Sequence, residues 1–191
     1  MADPARPPKS FEELYEEIRQ LPEGLTGEIL EPGVLRTMSR PGKRHRRAAR
    51  AHLDALSGLD ANLRGTGWWI ESEAEIRFSD RLAVPELSGW RVERVPELPD
   101  EDPITILPDW CCEILSRSTA RDDKRIKLPL YAHSGAPWSW IVDPDLHFVE
   151  VYQTINGLPA LLVTAQEDER RALPPFEIEI EFARWWLPTS A

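Results

Sequence analysis

Hydrophobic residues recur at two periods along the chain, and the change of period predicts where helices and strands lie. Phe11, Leu14 and Ile18 follow one another at helical spacing, which predicts an amphipathic helix over residues 11–21. Ser10 and Glu13 stand in front of this run in a capping-box pattern. The first ordered element of the chain is therefore expected to be a helix that begins directly after Ser10.

Two further helices are predicted, over residues 46–56 and from Ser118 or Thr119 to about residue 133. Pro129 lies inside the last of these segments. An interior proline costs about 3 kcal/mol because it removes a backbone hydrogen bond and clashes with the preceding turn. A kink or a restart of the helix is therefore expected at this residue.

Short runs with β-strand patterning fill most of the remaining chain. They cover residues 26–30, 67–71, 74–78, 82–86, 110–116, 138–142, 148–152, 159–164 and 175–182. Segments 67–71 and 74–78 are predicted to form a hairpin or two adjacent strands. Segment 110–116 is the most apolar, which favours the centre of a sheet. The order of elements predicts an α/β fold with a mixed sheet flanked by helices.

The length of 191 residues suits one domain, expected over residues 10–191 after a flexible tail at 1–9. No apolar run reaches the roughly 18 residues needed to span a membrane, and the first residues lack the apolar core of a signal peptide. Cys111 and Cys112 are neighbours on a predicted strand and point to opposite faces, so no disulfide is expected. These features predict a cytoplasmic protein without a membrane partner.

Charge is distributed unevenly along the chain. The net charge of −10 argues mildly against indiscriminate binding to nucleic acid, since cations supply phosphate affinity. Between Glu31 and Asp54, however, the charged and histidine residues are all potentially cationic: Arg36, Arg40, Lys43, Arg44, His45, Arg46, Arg47, Arg50 and His52. This stretch could bind phosphates, with Arg44, His45, Arg46 and Arg47 as candidates, or it could form a solvated helix face.

Glu113 is the first candidate for chemistry because it interrupts the most apolar strand. An unpaired buried carboxylate costs several kcal/mol, so Glu113 requires a cation, a proton or a metal. A structural salt bridge and a metal site both satisfy this need. Glu86, at the end of another predicted strand, could supply a second oxygen ligand for Mg²⁺ or Mn²⁺. Asp109 shares the face of Glu113 by strand alternation.

A cationic partner is expected on the helix that follows. Asp123, Lys127 and Tyr131 recur at i, i+4 and i+8, which places them on one helix face. Lys127 could position a water molecule or neutralise a phosphate, or it could be an ordinary solvated lysine. Lys124 and Arg125 are rivals for the cationic role. Glu28 is a further acidic candidate, for which a structural role is an equal alternative.

Several other classes of site lack their sequence patterns. The four histidines and the two adjacent cysteines do not have zinc-ligand spacing. The chain contains neither a phosphate-binding P-loop, nor a dinucleotide glycine pattern, nor a Gly-x-Ser-x-Gly elbow.

The block Pro108-Asp109-Trp-Cys-Cys-Glu113-Ile-Leu-Ser-x-Ser-Thr, followed by Lys127 and by Trp-Ile-Val-Asp-Pro144, resembles a known family. It is similar to the bacterial putative restriction endonuclease family (the Uma-two group) of the PD-(D/E)XK nuclease superfamily. The segments Val-Pro-Glu86-Leu-Ser-Gly-Trp and Gly-Glu28-Ile-Leu match as well. The resemblance extends over about residues 12–187.

This resemblance implies an αβββαβ core and a divalent metal, Mg²⁺ or Mn²⁺. Glu86 would take the Pro-Asp position of the family, and Glu113 the acidic position of the third motif, with Asp109 as an additional ligand. Leu115 stands where the motif lysine is expected, so the resemblance points to Lys127 as its replacement. Glutamate at position 86, in place of aspartate, extends the carboxylate by about 1.5 Å.

Three functions are compatible with these residues. The first is a Mg²⁺-dependent DNA endonuclease with Glu86, Glu113 and Lys127 as catalytic residues and DNA as substrate. The second is a nuclease-fold module that has lost efficient catalysis and binds nucleic acid or protein. The third is an interaction protein whose tryptophans form the surface of a homodimer.

Overall fold

The computed structural model describes residues 8–39, 42–60, 67–167 and 169–187. Most of the predicted tail, residues 1–7, lies outside the described residues. Arg40 of the basic stretch lies outside them as well.

Helix α1 (Phe11–Arg19) begins at the predicted capping box. The Ser10 hydroxyl accepts a hydrogen bond from the Glu13 amide at 3.2 Å, and the Glu13 carboxylate accepts one from the Ser10 amide at 2.8 Å. The box therefore satisfies two amides that a helix start leaves without partners. Phe11, Leu14 and Ile18 are buried, as their spacing predicts.

The other helices lie close to their predicted positions. Helix α2 (Lys43–Leu56) begins three residues before the predicted start, and a 3₁₀ turn (Ser57–Leu59) follows it. The third helical region has three parts: α3 (Ala120–Asp122), a π-helical turn (Asp123–Lys127) and α4 (Leu128–Ser134). Pro129 lies in the first turn of α4, so the predicted restart is confirmed. A 3₁₀ turn (Phe182–Trp185) lies near the end of the described chain.

The strands form three sheets. In chain order they are β1 (Leu25–Glu31), β2 (Val34–Ser39), β3 (Trp68–Ser72), β4 (Ile76–Phe78), β5 (Arg81–Ala83), β6 (Leu87–Arg91), β7 (Trp110–Ile114), β8 (Trp138–Asp143), β9 (Phe148–Ile155), β10 (Leu158–Gln166), β11 (Arg170–Ala172) and β12 (Glu179–Glu181). The main sheet has the order β10-β9-β8-β7-β6-β3, a smaller sheet has the order β2-β1-β5-β4, and β11 pairs with β12.

The main sheet confirms the predicted α/β fold with a mixed sheet. Strand β7 runs parallel to β8 and antiparallel to β6, and all five of its residues are buried. The strands of the main sheet and their helices occur in αβββαβ order as α2, β3, β6, β7, the helical region from α3 to α4, and β8, with β4 and β5 of the smaller sheet inserted between β3 and β6. The most apolar segment of the sequence thus lies inside the sheet, as predicted.

The predicted pairing of segments 67–71 and 74–78 is wrong. β3 pairs with β6 in the main sheet and β4 pairs with β5 in the smaller one, so these segments form no hairpin. The chain leaves one sheet at Glu73, which has a positive φ of 53°. Strand β6 (Leu87–Arg91) is not among the segments that the sequence pattern predicts as strands. Gly89 interrupts the apolar pattern of this strand. A Cβ at this position would lie 3.1 Å from the Trp68 ring, so a larger residue would press against that ring.

Large aromatic side chains fill the core on both faces of the main sheet. Trp110, Trp140 and Trp185 lie on the α2 side, and Trp90 lies on the α4 side, all at most 1% exposed. These four tryptophans therefore belong to the core and not to a dimer surface. Cys111 and Cys112 are buried free thiols. Within the described chain, no helix has the length and apolar character needed to cross a membrane.

A substitution at Gly27 tests how tightly α1 packs on the smaller sheet. A Cβ at this position would lie 2.5 Å from Ile18 Cγ1, so Gly27→Ala must displace α1. We expect this substitution to lower the free energy of unfolding by about 1–3 kcal/mol in urea denaturation. Gly58→Ala is the matched control, since its Cβ would meet nothing within 4 Å. Equal effects of the two substitutions would contradict this packing.

Candidate active site

The ammonium group of Lys127 lies at the centre of a buried charged cluster. Its Nζ is 2.9 Å from Glu28 Oε1, 2.9 Å from Glu113 Oε1 and 3.7 Å from Asp123 Oδ1. All four residues are 3% exposed or less. Strand β1, strand β7 and the π-helical turn each contribute to this cluster, which joins distant parts of the sequence around one cation.

Strand β7 determines which side of the main sheet Glu113 faces. Cys112 and Ile114 point into the tryptophan-rich core next to α2, so the alternating residue Glu113 points to the opposite face. There the Tyr131 hydroxyl donates a hydrogen bond to Glu113 Oε1, and Lys127 donates one to Oε2 at 2.9 Å. Both carboxylate oxygens of Glu113 are therefore held by groups from the following helical region.

Glu28 links the smaller sheet to the cluster. Its Oε1 accepts a hydrogen bond from the Val84 amide at 2.8 Å and contacts the Lys127 ammonium. The Val84 carbonyl lies 3.4 Å from the same ammonium. Val84 lies between β5 and β6, so these contacts fix the segment that leads from the smaller sheet into the main one.

Glu86 follows on that segment and lies at the more exposed side of the cluster. β6 and β7 pair antiparallel with Leu87 opposite Cys112, so one further step places Glu86 opposite Glu113. Glu86 Oε1 is 2.8 Å from His45 Nε2 of α2, and its side chain is 23% exposed. Glu86 directly precedes β6 and Glu113 lies on the neighbouring strand β7, so the segments that carry these two sequence-predicted carboxylates run side by side.

Burial and mutual repulsion shape the charge state of the cluster. Burial raises the pKa of Glu113 well above its usual range, although Lys127 opposes the shift. Burial also raises the pKa of Asp123, to about 6. For Lys127, burial lowers the pKa, but Glu113, Glu28 and Asp123 outweigh it and hold the pKa above its ordinary value. Lys127 is thus a permanent cation within an excess of carboxylates.

The donor set fits a hard divalent cation. Glu86 and Glu113 offer oxygen ligands, and Mg²⁺ commonly uses one or two carboxylates together with water and substrate phosphate. In the part of the chain that the structure describes, no three His, Cys, Asp or Glu side chains are arranged to hold a metal. A site built on these residues would accordingly leave most coordination positions to water and phosphate.

Asp109 does not join the cluster. Its carboxylate accepts hydrogen bonds from the Arg94 side chain at 2.9 Å and from the Arg91 amide at 2.8 Å. Asp109 and Glu113 share a face but stand four residues apart, which is about 13 Å along a strand. The structure thus gives Asp109 a structural ion pair at the opposite end of β7.

The basic stretch is divided between several environments. His45 is only 5% exposed and pairs with Glu86, so the structure places it inside the protein and not on the solvated face. Arg44 lies 3.6 Å from Asp145, and Arg47 donates to the Arg184 carbonyl at 2.8 Å. Arg46 is exposed. Of the predicted phosphate-binding residues, Arg44, Arg46 and Arg47 therefore remain at the surface.

Lys127 is the cation that reaches the acids, whereas its two rivals do not. Lys124 pairs with Glu150 at 3.0 Å, and Arg125 is exposed. Sequence reasoning placed Asp123 and Tyr131 on the Lys127 helix face but gave them no role at the site. The i, i+4, i+8 spacing of Asp123, Lys127 and Tyr131 is the sequence feature that could have identified Asp123 and Tyr131 as members of the cluster.

Comparisons with known proteins identify a family and a similar fold. A family model described as putative restriction endonuclease, the Uma-two family, matches residues 13–185. The fold is similar to the crystal structure of a putative nuclease belonging to DUF820 from Anabaena variabilis, with a TM-score of 0.68 and 22% identity. That alignment covers 93% of this chain and 97% of the other. No curated protein matches.

The raised pKa of Asp123 predicts that the stability of the folded protein depends on pH. Its pKa is about 6 when folded and near 3.8 ordinarily, so the folded state binds this proton more tightly. The contribution of Asp123 is therefore complete below the ordinary pKa and is lost as pH rises through 6. Without metal, we expect the unfolding free energy of wild type relative to Asp123→Asn to fall by about 2 kcal/mol from pH 4 to pH 7.

Asp122→Asn provides the matched control for this measurement. The Asp122 side chain is 38% exposed and pairs with Arg36, so its removal should leave the pH dependence closer to wild type. Parallel curves for wild type and Asp123→Asn across this pH range would show that Asp123 does not titrate as its burial requires.

Proposed function

Because the chain belongs to the Uma-two family of putative restriction endonucleases, we propose that it is a metal-dependent DNA endonuclease that hydrolyses phosphodiester bonds. One observation carries this proposal. Lys127 lies 2.9 Å from Glu113, although Leu115 occupies the position where the family motif expects its lysine. This contact supports the proposal, because a nuclease motif needs its acid and its cation close together even when they are separated in sequence.

Glu86 and Glu113 are the residues that would hold Mg²⁺ or Mn²⁺. The bound ion would supply Lewis acidity, which lowers the pKa of water and offsets negative charge developing on the phosphate. Tyr131 and Lys127 restrict the rotation of the Glu113 carboxylate through hydrogen bonds to its two oxygens. The chain thus holds the geometry of one ligand before any substrate arrives.

Lys127 serves as a fixed positive charge in this proposal. Its raised pKa excludes a role as general base at neutral pH, because the ammonium keeps its proton. A buried cation stabilises negative charge strongly, since little water screens it. We propose that Lys127 stabilises the charge that develops on the phosphate, or orients the attacking water through an N–H group.

The proposed DNA path runs along the start of α2. Lys43, Arg44 and Arg46 are exposed there, on either side of His45, which contacts Glu86. Cations at this place attract phosphates toward the more exposed side of the cluster, while the net charge of −10 disfavours binding elsewhere. The basic stretch and the carboxylates are therefore adjacent, as a phosphodiesterase requires.

Cleavage of plasmid DNA with Mg²⁺ or Mn²⁺ tests the proposed function. We expect Glu113→Gln to reduce cleavage by about 100-fold or more, because it removes a charged ligand and the partner of Lys127. Glu93→Gln is the control: this carboxylate is 79% exposed and pairs only loosely with Arg91, at 3.9 Å. Equal cleavage by wild type and Glu113→Gln would refute the assignment.

One observation favours the second candidate, a module that binds nucleic acid or protein without efficient catalysis. Lys127 already pairs with both Glu113 and Glu28, at 2.9 Å each, which weakens their attraction for a metal. In addition, Glu86, the other proposed ligand, carries its carboxylate further from the backbone than the expected aspartate would. Calorimetric titration with Mg²⁺ distinguishes the two candidates. Absence of a carboxylate-dependent site, together with retained DNA binding, would favour the module.

A further inference from the structure

His45 is a buried histidine whose position depends on one carboxylate. Its Nε2 lies 2.8 Å from Glu86 Oε1, and the residue is 5% exposed. Within the described chain its Nδ1 has no hydrogen-bond partner. A buried ring with a single polar contact gains its orientation from that contact, so His45 and Glu86 fix one another.

Glu86 needs such a partner more than Glu113 does. Both oxygens of Glu113 are held by Tyr131 and Lys127 deep in the cluster. Glu86 is 23% exposed and has one more rotatable bond than the aspartate that its family usually has at this position. The 2.8 Å contact with His45 Nε2 limits the positions that this longer side chain can take.

We propose that His45 is the positioning residue for Glu86, which it orients for metal binding through its Nε2–H. This inference rests on the proposed function, since it assumes that Glu86 is a ligand. A histidine that hydrogen-bonds a ligating carboxylate typically raises metal affinity, and loss of such a partner lowers affinity by about 10–100-fold. The sequence suggests that His45 binds phosphate, whereas this proposal gives it a positioning role inside the site.

Calorimetric titration of Mn²⁺ into the full chain tests the positioning role. His45→Phe keeps a planar ring but removes the donor, and we expect it to weaken Mn²⁺ binding by about 10-fold or more. His45→Gln, whose amide nitrogen replaces Nε2, should restore most of the affinity. Duplex DNA affinity in the presence of a chelator should be unchanged in both variants, because the exposed cations are intact.

His52→Phe is the matched control. His52 is a second buried histidine of α2, but it stacks on Trp185 at 4.1 Å between ring centres and faces the apolar core. This substitution should leave Mn²⁺ affinity unchanged. In a Glu86→Gln background, His45→Phe should cause no further loss, because its effect acts through the Glu86 carboxylate.

The outcomes separate this inference from the proposed function. If Glu86→Gln weakens Mn²⁺ binding and His45→Phe does not, the positioning role is wrong while the metal site stands. If wild type binds no Mn²⁺, or binds it equally well without Glu86 and Glu113, both proposals fall. Should His45→Phe not fold, His45→Asn carries the same prediction, because its shorter amide cannot reach Glu86.

Discussion

The burial of the Lys127 ammonium is the constraint on which the rest of the structure depends. Breaking a buried ion pair by removing one partner typically costs about 3–5 kcal/mol, since an uncompensated charge is left behind. Lys127 therefore requires Glu28 from the smaller sheet and Glu113 from the main sheet at the same time. The π-helical turn carries Lys127, and its ammonium bridges the two sheets, which also share a hydrophobic cluster.

Such a cluster adds little net stability, because the desolvation of each charge offsets much of the attraction. Burial raises the pKa of Glu113 and of Asp123, and the neighbouring carboxylates, which outnumber the one buried cation, add to the rise. Excess buried carboxylate with strongly shifted pKa values is characteristic of functional sites. A divalent cation bound by Glu86 and Glu113 would compensate the excess negative charge of the cluster. The need for this compensation supports the nuclease proposal, together with the family membership.

Local patterns were sufficient to predict most elements, and they drew attention to Glu113 and Lys127. The apolar run around Glu113 and the helix-face spacing of Lys127 are visible in sequence, and the resemblance connected them. The pairings of β3 and β4 were not predictable, because a change of sheet at Glu73 leaves no periodic signal. The Glu28–Val84 and His45–Glu86 contacts were missed because each joins segments about 40 to 60 residues apart. Cytoplasmic location and a homodimer stay predictions.

A crystal structure of the protein soaked in Mn²⁺ tests the central claim most directly. Anomalous density is expected between the carboxylates of Glu86 and Glu113, with oxygen distances of about 2.1 Å and the Lys127 ammonium beside it. Density at another group of carboxylates, with none between Glu86 and Glu113, would contradict the claim that this cluster is a nuclease metal site.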